Sequence, residues 1–144
     1  MNTETSEIQG SCHCGTVRFQ VRLSEGLMTA RRCDCSYCRM RGAVVVTASL
    51  RDFDLISGEE ALSLYQFNTH IAKHYFCSRC GIYTHHQRRS DPHQLGINAS
   101  CLNGVSPFDF EEIPVNDGVN HPSDRVSRGG SEVVGVLRFV PSNR

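Results

Sequence analysis

The sequence predicts a mainly β protein: short runs alternate apolar and polar residues, helical periodicity is scarce, and most of its eight cysteines fall into three tight clusters. With 144 residues the chain is sized for one domain. The expected layout is a polar, aperiodic, flexible N-terminal arm over residues 1–9, followed by a single zinc-binding domain over residues 10–144.

The first strand is expected at Val17–Leu23, where Val17, Phe19, Val21 and Leu23 alternate with Arg18, Gln20 and Arg22. A period of two buries one face of a strand. Ala43–Ala48 is continuous, apolar and β-branched, which suits a strand covered on both faces. Ser57–Leu64, opening Ser-Gly-Glu-Glu, holds at most a short turn of helix, and Leu62, Leu64 and Phe67 mark a third strand. Short strands at Ala72–Phe76 and Ile82–His85 flank Cys77 and Cys80 as the arms of a hairpin. Gln94–Ala99 and Val133–Val140 complete the set, the last stopped by Pro141, which cannot continue a ladder. The stretch at about 102–132 is rich in Gly, Pro, Asn, Asp and Ser, with Asn103-Gly104, Ile113-Pro114 and His121-Pro122. It reads as a long loop region, and loops of that length often contact a partner or substrate.

Lys+Arg and Asp+Glu both number 15, so the electrostatic footprint that holds proteins on phosphate backbones or anionic lipid is missing. Nucleic acid is therefore not expected as a partner. Neither is a membrane, since the longest apolar stretch, Ala43–Val46, is far too short to span one. The N-terminal MNTETSEIQG has neither a basic nor an apolar leader region, and the expected location is the reducing cytoplasm. There, dense cysteine reads as metal ligation or catalysis rather than disulfides.

The clusters are Cys12 and Cys14, then Cys33, Cys35 and Cys38, then Cys77 and Cys80, with Cys101 alone. The first and third place Gly15 and Gly81 directly after their last cysteine, where positive φ lets the chain turn under a metal. They read as two halves of one closed four-cysteine zinc site. The middle cluster has no such glycine and supplies three sulfurs, which leaves a second zinc with an open position. The same count also admits an all-structural arrangement completed by Cys101 or a histidine, a metal shared by the first two clusters, or an iron-sulfur cluster. Disulfides are disfavoured by the strain of a C-x-C bridge. Cys101 reads most simply as a small core side chain. The seven histidines match no recognised zinc spacing, but His74 and His85 stand out on the hairpin arms beside Cys77 and Cys80. Arg31, Arg32, Arg39 and Arg41 surround the middle cluster; they suit a substrate carboxylate, and the plainer reading is a solvated charged face.

Three ordered motifs, Gly10-Ser11-Cys12-His13-Cys14-Gly15-x-Val17-x-Phe19, Cys33-x-Cys35-Ser36-x-Cys38-Arg39 and Phe76-Cys77-x-x-Cys80-Gly81, give the chain a resemblance over roughly residues 8–100. It resembles the glutathione-dependent formaldehyde-activating enzyme family, which includes the centromere protein V type domain. The resemblance implies an Mss4-like fold of several small coiled β-sheets around a zinc-ribbon-like centre. By motif, Cys12, Cys14, Cys77 and Cys80 resemble the family's structural zinc ligands, and Cys33, Cys35 and Cys38 its catalytic zinc ligands, giving two zinc ions per chain. It further implies glutathione as co-substrate and formaldehyde as acceptor, with S-hydroxymethylglutathione as product and carbon-sulfur lyase chemistry in reverse. A thiol-binding zinc suits this, because coordination deprotonates a thiol at neutral pH. The competing class is a zinc-stabilised protein-binding module without catalysis, and the discriminating feature is whether the three-cysteine site is open.

Overall fold

The computed structural model describes residues 6–120 and 132–142. Among the described residues ten strands form two sheets: β1 (Glu7–Ser11), β2 (Arg18–Leu23), β3 (Arg32–Cys33), β4 (Val45–Ser57), β5 (Leu62–Tyr65), β6 (Lys73–Cys77), β7 (Tyr83–Gln87), β8 (Gln94–Asn98), β9 (Glu112–Asn116) and β10 (Val133–Arg138). The larger sheet is antiparallel throughout, in the order β1-β2-β4-β8-β7-β6-β5, and the smaller runs β10-β9-β3 with β3 parallel to β9.

The alternation in β2 buries Phe19, Val21 and Leu23 and turns Arg18 and Arg22 outward. Those apolar side chains meet Val46, Ala48, Leu95 and Ile97 of β4 and β8 in the main core. The strand expected at Ala43–Ala48 is the covered half of a longer one. β4 continues to Ser57, two register shifts against β2 interrupt its ladder, and its second half loses the fully buried pattern. A second, smaller core gathers Cys12, Val17, Ala61 and Cys77, so two cysteines are packing residues as well as candidate ligands.

Four expectations are corrected. Residues 7–9, expected in a flexible arm, belong to β1; its polar residues face solvent on an edge strand and pair with β2, where Arg22 Nη2 donates to Glu7 Oε1 at 3.2 Å. The earlier part of that arm, residues 1–5, lies outside the described residues. The short turn expected within Ser57–Leu64 is present as a 3-10 turn at Glu59–Ala61, but the strand after it, β5, ends at Tyr65 and leaves out Phe67. An unexpected helix, α1 (Ser36–Arg41), is too short to show periodicity; Cys35 caps its start by accepting from the Cys38 N–H. Within the 102–132 loop region, β9 forms a strand despite Pro114, because Ile113 is buried and the chain is bonded on both sides. Residues 121–131 of that region lie outside the described residues.

Candidate metal centres and their cavity

The β1–β2 turn and the β6–β7 turn are built alike. Cys12 N donates to Val17 O and Gly15 N to Cys12 O, while Cys77 N donates to Ile82 O and Gly81 N to Cys77 O. Gly15 and Gly81 have φ of 79° and 77°, the left-handed conformation expected of them. Three strands, β4, β8 and β7, separate β2 from β6 in the sheet, yet the two turns touch, so the sheet coils around to bring its flanks together. Cys12, Cys14, Cys77 and Cys80 place their sulfurs within 4.8 Å of one another. A tetrahedral zinc with bonds near 2.3 Å spaces its sulfurs about 3.8 Å apart. Cys12 and Cys14 Sγ are 3.6 Å apart and Cys14 and Cys77 Sγ 3.8 Å, so the cage fits that ion. Cys14 is lowered to about 6, chiefly through hydrogen bonding with Thr16.

Cys33, Cys35 and Cys38 also lie within 4.8 Å of one another, and among the described residues this group has no fourth Cys, His, Asp or Glu. Each sulfur receives one N–H: Cys33 from Cys35 N at 3.5 Å, Cys35 from Cys38 N at 3.2 Å, and Cys38 from Arg41 Nη2 at 3.5 Å. Such donors favour thiolate, the form a metal binds. Hydrogen bonds from Cys33 and Cys38 lower Cys35 to about 2, while those same contacts push Cys33 and Cys38 up. Three thiolates this close would repel one another, and a dication held among them would take the place of their protons. The cup fits zinc by donor chemistry and number.

A segment distant in sequence closes one side of this cup. Cys33 pairs with Asn116, Asp34 N donates to Asn116 O, and Gly118 N donates to Asp34 Oδ1 at 2.7 Å. A Cβ at Gly118 would lie 2.3 Å from Cys33 Sγ, so only glycine allows the backbone this near. The other side opens into a cavity of about 570 Å³.

Arg31, Arg32, Arg39 and Arg41 all line the cavity, Arg39 alone of them exposed. Arg41 lies 3.7 Å over the Tyr83 ring and donates from Nη1 to His74 Nδ1 at 3.0 Å. His74 is pushed down to about 4 by burial and by Arg41, so at neutral pH it is uncharged with its proton on Nε2. His85 does not reach the cavity; it is buried against Phe53 and Tyr75 and lowered to about 4 by burial. Cys101 belongs to neither cluster and packs in the main core. The 116–119 wall lies within the 102–132 region expected to contact a partner or substrate, whereas sequence reasoning missed His86, Arg88 and Phe67 as cavity residues. Of these three only the adjacent Arg88-Arg89 pair left a trace, a doubled cation after a strand; the others depend on sheet register.

Residues 7–112 match the sequence model of the glutathione-dependent formaldehyde-activating enzyme family. The chain belongs to this family. It is 37% identical over 81 residues to a Halomonas elongata protein that carries the family's name, covering 51% of this chain and 51% of that protein. The chain thus spans about half the length of that curated relative. A crystal structure of a Rhodobacter sphaeroides protein is similar with a TM-score of 0.73 and 55% identity, over 74% of this chain and 98% of that one. The family match ends at the start of β9, so the Gly118 wall and β10 lie beyond the part that defines the family.

Proposed function

We propose that the chain is a zinc-dependent enzyme of the carbon-sulfur lyase type, adding the sulfur of glutathione or another small thiol to formaldehyde or a related aldehyde. Cys12, Cys14, Cys77 and Cys80 would hold a structural zinc, and Cys33, Cys35 and Cys38 a catalytic one. The observation that carries this reading is the three-cysteine cup opening into a cavity lined by cations. An opening of this kind favours the enzyme over the binding module, which needs only closed sites.

Cys33, Cys35 and Cys38 would hold the zinc, and coordination there would lower the pKa of a bound thiol, so that its proton is released to water and the sulfur stays nucleophilic near pH 7. The chain's own residues do the rest. The N–H groups of Cys35 and Cys38 and the guanidinium of Arg41 orient the three ligands. Stacking on Tyr83 and the bond to His74 hold Arg41 in place. In the net reaction the sulfur bonds to the carbonyl carbon, and the thiol proton ends on the former carbonyl oxygen. The reverse reaction breaks the carbon-sulfur bond.

The test is cobalt substitution. Thiolate-to-cobalt absorption should rise when glutathione is added to wild type and to Cys101→Ser, and stay flat in Cys35→Ser. A wild type that ignores the thiol while Cys101→Ser responds would mean that Cys101 closes the site, and would move the protein to the binding-module class.

A further inference from the structure

β10 is apolar along most of its length, yet every residue of it is exposed. Val133, Val134, Val136, Leu137 and, just past the strand, Phe139 and Val140 are between 43% and 75% exposed. Phe108 stacks on Phe139 at 5.1 Å and is exposed as well, which extends the patch beyond the strand's end. These side chains leave on the order of 600 Å² of apolar surface open, the upper end of what a monomer shows to water. The strand also forms the edge of the smaller sheet: it is bonded to β9 on one side and, among the described residues, to no strand on the other.

The ladder decides which backbone groups are open. Phe139 N donates to Glu111 O, so by alternation Leu137 and Gly135 turn their polar groups to β9, while Val136 and Arg138 turn theirs to the open edge. Pro114, with no N–H to give, stands opposite Val136 and agrees with this phase. The devices that blunt such an edge are weak here. The register shift lies at the start of the strand, the one charge, Arg138, is bonded to Glu112, and neither Lys nor Pro occurs before Pro141. Gly135 points the same way. Its φ is not left-handed and a Cβ there would meet nothing within 4 Å, so neither the backbone nor the packing of this chain calls for glycine. A glycine inside a strand marks a place where another backbone or a ligand comes close.

What covers this edge must bring an apolar strand. Residues 1–5, 121–131 and 143–144 have Met1 and Val126 as their only large apolar side chains, so they do not supply one. A second β10 does. Laid antiparallel on itself and centred on Val136, the strand is self-complementary. Each Val136 exchanges both backbone bonds with its counterpart, and each Leu137 falls opposite the other copy's Gly135, whose missing side chain leaves room. The two Arg138 then lie roughly 13 Å apart along the strands, beyond the reach of screened repulsion at physiological salt. Two such patches bury on the order of 1,200 Å², enough for a specific, stable interface of the smaller kind.

We propose that β10 pairs antiparallel with β10 of a second copy of this chain, centred on Val136, joining the two smaller sheets into one continuous sheet. The two-fold uses up both edges, so assembly stops at the dimer. β10 lies beyond residues 7–112, so the pairing belongs to this chain rather than to the part that defines the family.

The test uses the full metal-loaded chain in sedimentation and amide hydrogen exchange. Wild type should pass from monomer to dimer between about 1 and 500 μM. Over the same range the Val136 and Arg138 amides should gain protection, and that of Leu137, bonded to β9 in either state, should change less. Val136→Lys and Val136→Glu each set like charges directly opposite across the two-fold and should weaken the dimer at least about tenfold. An equimolar mixture of the two should recover a heterodimer, because Lys then faces Glu. Both replace an exposed side chain, so the melting temperature should hold; if either fails to fold, amide protection in wild type decides alone. A monomer throughout, growth past the dimer, a dimer indifferent to both substitutions, a mixture that stays monomeric, or a dimer that leaves Val136 and Arg138 unprotected overturns the proposal.

Discussion

A methyl group at position 118 would press on Cys33 Sγ at 2.3 Å and on Cys35 Cβ and N at 2.7 Å. The neighbouring atoms are ligand sulfur and backbone, so the strain cannot relax into a flexible side chain. Gly118→Ala should therefore weaken cobalt binding at the three-cysteine cup by about tenfold or more, the scale seen when ligand supports are lost, and spare the four-cysteine cage. Titration resolving the two sites checks this; a uniform loss at both would point to general misfolding instead. His85 gives a second residue-scale expectation. Burial lowers it to about 4 against an unfolded value near 6.5, so the fold holds the neutral ring. That contribution is complete above about pH 6.5 and is lost as pH falls through about 4, amounting to roughly 3 kcal/mol at full extent. His85→Phe should lose less stability than wild type between pH 7 and 4.5 in urea titrations. Parallel curves would contradict the assignment.

At the scale of elements, the two glycine-ended turns make a tie across the sheet. Cys14 and Cys77 are 63 residues apart in sequence and join flanks that three strands separate, whereas Cys33 to Cys38 closes only a local loop. Loop-closure entropy grows with length, and structural zinc binding is itself folding free energy, of order 10 kcal/mol. Cys77→Ser should lower the melting temperature by on the order of 10 °C or more, and Cys35→Ser by only about 3 °C. Equal melting temperatures would refute the division into cage and cup. These turns were legible in the sequence because a cysteine pair followed by glycine has a local conformational reason, and β2 was legible because one face is buried. β1 was not, since Glu7 and Gln9 face water on an edge strand. Six-residue α1 owes its start to a cysteine cap that no periodicity announces. β9 hid behind Pro114, and the cavity wall of His86 and Arg88 follows from how β7 lies against β8, which neighbouring sequence does not encode.

For the whole molecule, the cage and the cup together predict two zinc ions per chain after mild purification. Elemental analysis giving iron, or a single metal, would contradict the proposed ligation. Both sites are also served by one strand. β6 carries His74 in the cavity wall and ends three residues later at Cys77 in the cage, a span of roughly 10 Å. On the proposed ligation, cage and cup draw on one supply of ion with unequal claims, four thiolates against three. When the ion is scarce, the cage fills first and fixes β6, and the cup stays empty in a molecule that is already folded. The protein would then persist through a metal shortage as an intact but idle reserve, resuming work on the next ion without having to be made again.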